Sequence, residues 1–400
     1  MAEETVQIGK CVTCHAGSRD SYALSVALQE CNLLDFLVTD FYTPDIACAF
    51  YGKRHHTGLP SSKVVSLWST VLYQKLFHQP FHVTDSILSK YALKTALHNR
   101  SNLFLCSYTA SEAFSAVKKQ GLENLCLLFQ LHPHPSSIKK ILEEEIRLVP
   151  IASDSILGEI EMDENSLVVK RLIEESCLAD RCVVASSFTK ETLMENGVRE
   201  DTIKVIPYGV DSIRFPKKTS YNLRKDNLNV IFLGQMIQRK GLYYLLEAIK
   251  SLRSKSITLT IVGRGSIDHK LLAAYSSELN INVRINLSHS DLINELHMND
   301  VLVFPSLIEG FGHVILEAMS AGIPVICTPN TAGRDVFLTG KEGFIVPIRS
   351  SEILAEKIEW CLDHKKELQD MGVQAAETAR DFTWDKFRKD VRQFYVENAS

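Results

Sequence analysis

The sequence predicts an α/β molecule made of two parallel-sheet domains, and three observations carry that prediction. Apolar runs of strand length alternate with segments of helical period along the whole chain. The 400 residues suffice for two domains of ordinary size, each with its own core. One polar stretch with neither period, Ser212 to Asn227, parts the alternation and reads as a linker. The domains are therefore expected at 1-211 and 228-383, with a closing helix over 384-400.

Composition bounds the function. With 45% hydrophobic and 23% charged residues the chain is that of a soluble globular protein. A net charge of -4 and a pI near 6.4 give no electrostatic ground for wrapping nucleic acid. No apolar run is long enough to span a membrane, and Met1-Ala2-Glu3-Glu4 lacks the basic-then-apolar pattern of a signal peptide, so a cytoplasmic location is expected. The ten cysteines fall mostly in apolar patterns, as Cys106, Cys126, Cys182 and Cys327 do, and read as reduced core residues. Cys11 and Cys14 form a CxxC, without a second pair at zinc spacing.

In the first half, a strand from Val6 to Thr13 opens into Cys14-His15-Ala16-Gly17-Ser18-Arg19 and a helix carrying Tyr22, Leu24, Val26, Ala27 and Leu28. Ligands gather at such carboxyl ends of strands, so Gly17 is expected near the site. A strand from Leu33 to Val38 follows, then the irregular, basic loop Tyr51-Gly52-Lys53-Arg54-His55-His56, which reads as a solvated loop or, alternatively, as one that meets an acidic acceptor or a membrane surface. Helical patterns from Lys63 to Phe77 and from Val83 to His98 are expected to pack on the sheet. Asn102 to Ser107 is a strand. Another, Asn124 to Leu131, ends at His132-Pro133-His134-Pro135. Helices are expected around Glu143 to Glu145 and from Ser166 to Ala179. The strand Arg181 to Ala185 leads to Ser186 and Ser187, either of which can cap the next helix. Ile203 to Ile206 is the last strand before Pro207-Tyr208-Gly209-Val210-Asp211.

The second half repeats the alternation. Leu228 to Leu233 is a strand, and Gly234-Gln235-Met236-Ile237-Gln238-Arg239-Lys240-Gly241 sets basic residues before a helix through Leu245, Leu246 and Ala248. Ile257 to Val262 is a strand followed by Gly263-Arg264-Gly265-Ser266, a partial glycine fingerprint with Asp268 at the third glycine's place. Val283 to Leu287 and Val301 to Phe304 bracket a helix with Leu292, Ile293 and Leu296. Ile323 to Cys327 and a short run from Gly343 to Val346 complete the strands, and helices follow from Glu352 to Leu362, Glu367 to Ala379 and Trp384 to Val396.

The most informative stretch is Pro305-Ser306-Leu307-Ile308-Glu309-Gly310-Phe311-Gly312-His313, between the strand ending at Phe304 and a helix with Val314, Ile315, Leu316, Ala318 and Met319. A strand, a glycine loop and a helix N-terminus offer unpaired N–H groups and a positive dipole end to an anion. Glu309 in the loop and Glu317 on the helix repel phosphate but accept hydrogen bonds from hydroxyls. A nucleotide diphosphate sugar has that layout, with its sugar near Glu309 and its ribose near Glu317.

The run Pro-Ser-x-x-Glu-Gly-Phe-Gly, with a second glutamate after seven intervening residues, resembles the signature of family-four retaining glycosyltransferases of the GT-B fold. The resemblance implies two facing Rossmann-like domains with a deep cleft, a C-terminal helix crossing back to the first domain, and transfer of a hexosyl group from a nucleotide sugar to a saccharide or lipid-linked acceptor. It implies that Arg239 and Lys240 hold the donor diphosphate and that Glu309 fixes sugar hydroxyls. Glu317 holds the ribose, and His132 or His134 lies against the sugar, the strand register favouring His132. Gly17, Gly234, Gly263, Arg264, Gly310, Phe311, Gly312 and His313 line the donor. No metal and no cofactor beyond the donor are implied, and peripheral contact with the inner membrane face is compatible with the family. One departure stands out: the arginine that usually follows the loop glycine is Gln235 here, and Arg239 is expected to supply its charge. Two rivals remain, a nucleotide-sugar epimerase and a non-catalytic partner subunit of the same fold.

Overall fold

Thirteen strands form two separate parallel sheets in the computed structural model, among the described residues 8–47, 54–78, 80–223, 226–252 and 257–399. The start of the first predicted strand, Tyr51 to Lys53 of the basic loop, and Lys225 of the linker lie outside those residues. The first sheet comprises β1 (Cys11–Cys14), β2 (Leu34–Thr39), β3 (Val64–Ser66), β4 (Asn102–Cys106), β5 (Cys126–Gln130), β6 (Arg181–Val184) and β7 (Ile203–Val205). Its order is β3-β2-β1-β4-β5-β6-β7. The second comprises β8 (Leu228–Leu233), β9 (Ile257–Gly263), β10 (Ile281–Ile285), β11 (Val301–Phe304), β12 (Val325–Cys327) and β13 (Gly343–Ile345), ordered β10-β9-β8-β11-β12-β13. Central strands such as β5 and β11 are buried throughout, as expected of parallel strands covered by helices on both faces.

Each sheet reverses its strand order once, between β1 and β4 and between β8 and β11. The loops after strands part in opposite directions there and leave a crevice at the carboxyl ends. The loops after β8 and β11 carry Lys240 and Glu309, so topology alone sets them side by side.

Three expectations need correction. The segment from Lys63 to Phe77 is not one helix: Val64, Val65 and Ser66 pair with Leu37, Val38 and Thr39 of β2, and the helix begins at Trp68. Three residues are too few to show a period, and the β-branched pair Val64-Val65 is the signal that was available. That helix does not bury its apolar side either, since Thr70 is its buried residue. The strand expected at Val283 to Leu287 lies two residues earlier, where Ile281 to Ile285 pair with Leu259 to Gly263 of β9. Among its described residues the stretch from Ser212 to Asn227 has neither strand nor helix, but it is anchored. Phe215 and Lys218 are buried, and Lys218 Nζ donates to the Asn299 carbonyl at 2.7 Å.

The last helix, Trp384–Asn398, crosses back onto the first sheet. Tyr395 Oη donates to the Gly9 carbonyl at 2.7 Å, and Arg388 and Arg392 pair with Glu30. The crossing is close: a Cβ on Gly209 would lie 2.3 Å from the Trp384 nitrogen. Cys11 and Cys14 sit buried on β1, where burial pushes both thiols up.

Candidate active site

Two loops of the second domain are stitched together before any ligand is considered. Gly241 has φ 73°, and a Cβ there would stand 2.0 Å from the Pro305 oxygen, so glycine alone lets the β8 loop lie on the β11 loop. Leu307 N and Ser306 Oγ both donate to the Arg239 carbonyl, at 3.0 and 3.3 Å. This fixes Lys240 over Glu309, and the two form an ion pair in which Lys240 is buried and Glu309 partly so. Burial pushes the Glu309 carboxyl up, but Lys240 and Arg239 outweigh it and hold it below its ordinary value. Arg239 turns the other way: its Nη1 donates to Glu159 at 2.9 Å, and its Nε is buried without a partner.

Gly310 joins the domains. A Cβ there would lie 2.3 Å from the Leu131 oxygen, at the end of β5. The Gly310 carbonyl accepts from Ser186 Oγ at 2.6 Å and from Thr189 Oγ1 at 3.1 Å. Ser186 also caps the helix Ser187–Glu195 by accepting from Thr189 N, while Ser187 binds Asp335 across the interface. Ser186→Ala therefore removes a cap and a domain bridge together. It is expected to lower unfolding stability by about 1–2 kcal/mol in a urea titration. A loss of only a few tenths of a kcal/mol would show that the carbonyl is served by other donors. His313 stacks on Tyr208 with ring centroids 4.6 Å apart, and its Nε2 stands 3.7 Å from Asp20 of the first domain.

The structure separates the two histidines. His134 Nδ1 accepts from Ser136 N and caps the helix Pro135–Leu148, which occupies it structurally. His132 faces Tyr108, with ring centroids 5.3 Å apart, and its Nε2 is buried without a partner. Burial pulls its pKa down to about 4, so it is neutral near pH 7. It lines a cavity of about 510 Å³ between the domains, together with Tyr108, Glu159, Glu161, Gln235 and Arg239.

A second cavity of about 310 Å³ lies behind it, and Gln235 forms part of both walls. Gly234, Gly263, Arg264, Val314 and Glu317 line this one. A Cβ on Gly263 would stand 2.5 Å from the Gly234 oxygen, which leaves these strand ends as bare backbone. Burial raises Glu317 to about 7, opposed by Arg214. Phe311 is buried against Tyr208, and Gly312, at φ 86°, opens the helix His313–Ser320, whose leading N–H groups have no partner one turn back along the helix. Gly17 stands apart from this cluster: its N donates to Asp40 at 2.8 Å, and it is Asp20 further along the same loop that meets His313. Sequence reasoning missed Tyr108, Glu159, Glu161, Ser186 and Thr189 as parts of the cleft. Serine at a helix start was visible, but no local pattern marks a partner so distant along the chain.

Two parallel α/β domains whose switch points face one cleft define a GT-B fold, and solved structures share it over nearly the whole chain. Sucrose-phosphate synthase from Thermosynechococcus elongatus superposes with a TM-score of 0.68 at 16% identity, covering 97% of this chain and 98% of that one. HepE of Anabaena, solved in complex with UDP-glucose, gives 0.64 at 15% identity, covering 97% and 100%. The part of the molecule that holds Lys240, Glu309 and Glu317 is more particular: residues 214–378 match the family model described as Glycosyl transferases group 1. The capsular polysaccharide biosynthesis glycosyltransferase CapM of Staphylococcus aureus is 28% identical over 210 residues, 49% of this chain and 55% of CapM. The chain thus spans about half the length of the curated relatives it matches.

Proposed function

We propose that this protein is a retaining glycosyltransferase that moves a hexosyl group from a nucleotide diphosphate sugar to an acceptor hydroxyl, in polysaccharide, lipopolysaccharide or glycolipid synthesis. One observation carries the reading: a part-buried lysine–carboxylate pair, Lys240 with Glu309, lies beside a helix N-terminus at the switch point of the second sheet. Cations and free N–H groups there suit a diphosphate, and a carboxylate beside them suits sugar hydroxyls. The match to a glycosyl transferase family and the name of CapM support the class of reaction and its setting.

In this reading the ribose sits on Glu317 in the smaller cavity and the diphosphate crosses the N-terminus at Gly312 and His313. The sugar lies between Glu309 and His132, and Gly310 and Phe311 shape its seat. The acceptor hydroxyl attacks the anomeric carbon on the face from which the diphosphate leaves. A carbon–oxygen bond to the acceptor forms as the bond to the diphosphate breaks, and the departing phosphate oxygen takes the acceptor's proton. Lys240 and Arg239 offset the negative charge that builds on that oxygen, without a metal ion. Neutral His132 is suited to bonding a sugar hydroxyl rather than to carrying a charge. Peripheral membrane contact of the acceptor side belongs to the same proposal.

The test is calorimetric titration with UDP, GDP, ADP and their sugars. One base should bind, and its sugar should turn over; binding of none would sink the reading in favour of a non-catalytic subunit. Glu317 adds a pH signature. A carboxylate accepts from ribose hydroxyls, so nucleotide affinity is expected to rise as the pH passes upward through about 7, a step absent in Glu317→Gln. The unliganded fold shows the opposite dependence. Its proton on Glu317 is bound more tightly than in the unfolded chain, so this group's stabilisation is full below about 4.5 and lost as pH rises through about 7. A flat affinity profile in the wild type would remove Glu317 from the ribose.

A further inference from the structure

Three residues in the wall of the larger cavity each carry a buried polar atom with no partner among the described residues: His132 Nε2, Glu161 Oε2 and Arg239 Nε. Buried polar groups are nearly always satisfied, so three in one wall call for a cause. The cavity, of about 510 Å³, is large enough for a sugar ring.

The roles of the three atoms describe what they wait for. His132 Nδ1 lies 2.9 Å from the Pro133 carbonyl, which only accepts, so Nδ1 carries the hydrogen and Nε2 the lone pair. Glu161 is 6% exposed, and its free oxygen is also an acceptor. Arg239 Nε is a donor, while its Nη1 is already taken by Glu159. Two acceptors and one donor suit a group that both gives and takes hydrogen bonds. A hydroxyl does both, whereas a phosphate or a carboxylate only accepts and would turn its oxygens on Glu161 and His132.

Charge selects in the same direction. Glu159, Glu161 and the exposed Asp154 oppose an anion, and Arg239 in the same wall opposes an ammonium. We propose that this cavity seats an uncharged saccharide ring of the acceptor, and that Glu161 selects it by accepting from ring hydroxyls and turning away uronic acids and sugar phosphates. Assigning the ring to the acceptor rests on the transferase reading. Its being uncharged does not, because binding is measured without a donor.

The experiment is saturation-transfer NMR on the full chain, titrated with the methyl glycosides of glucose, galactose and mannose and with the uronic acid counterpart of each, no nucleotide being present. At least one neutral glycoside is expected to bind, with its uronic acid roughly tenfold weaker or worse. Glu161→Ala should weaken the neutral glycoside roughly tenfold. Glu161→Gln keeps an acceptor oxygen and removes the charge, so it should narrow the gap between neutral and acidic sugars, a change that a merely structural role for Glu161 does not produce. Melting curves of both variants separate lost binding from lost folding, and nucleotide affinity should stay as in the wild type because the smaller cavity is lined by the second domain alone. A uronic acid bound as tightly as its neutral counterpart, no neutral glycoside bound, or a gap untouched by Glu161→Gln overturns the proposal. A chain that fails here yet binds a nucleotide leaves the transferase reading standing, and one that binds neutral glycosides but no nucleotide loses that reading and keeps the saccharide site.

Discussion

Lys240→Ala is expected to lower kcat by about a hundredfold to a thousandfold, the effect of removing one preorganised group that stabilises charge in a transition state. It is also expected to destabilise the fold, because Glu309, largely shielded from water, is then left with Arg239 as its remaining cation. Breaking a buried pair from one side typically costs about 3–5 kcal/mol. Protonation relieves that cost, so the variant should regain stability as the pH falls and Glu309, no longer held down by Lys240, takes up a proton. Adding Glu309→Gln should restore much of the melting temperature while leaving transfer abolished. Single-turnover kinetics and thermal melts at several pH values separate the two effects. A Lys240→Ala enzyme within about tenfold of wild type would place the charge stabilisation elsewhere.

Gly310→Ala is expected to have an effect of similar size by a different route. The added Cβ would fall 2.3 Å from the Leu131 oxygen and 3.2 Å from the His132 Cα. Both neighbours are backbone, so one domain must move against the other. A shift of about 1 Å in reacting groups can cost roughly a hundredfold in rate. Nucleotide binding should change far less, because the smaller cavity is lined by residues of the second domain alone. Loss of kcat with near-normal nucleotide affinity is the expected split. Equal loss of both would mean that the glycine shapes the nucleotide seat instead.

The parts of this molecule that are legible in its sequence are those encoded by neighbouring residues. The alternation of strands and helices yields both sheets, and the loop from Glu309 to His313 is recognisable because its glycines and carboxylates are contiguous. Lys240 stands out as a cation just before a helix. Partners distant along the chain are not legible: nothing in Ile160-Glu161-Met162 or Glu159 predicts that this stretch walls the cleft and holds Arg239. The pairing of Lys218 with the Asn299 carbonyl is equally hidden, since a polar run reads as solvated whether or not it finds a buried acceptor. The helix at Trp68 misleads for the opposite reason. An apolar face is ordinarily an inner face, and only the structure shows which side the sheet occupies.

The ion pairs between the domains bear on solution conditions. Arg334 with Glu191 and Arg349 with Glu144 lie where water reaches them, whereas Glu145, the second partner of Arg349, and the Arg239–Glu159 pair are shielded. At physiological ionic strength charges are screened beyond about 8 Å in water, and far less inside protein. Added salt therefore weakens the exposed Arg334–Glu191 and Arg349–Glu144 pairs more than the shielded ones. Ionic strength bears on the contacts at the rim of the two domains more than on those at the floor of the cleft.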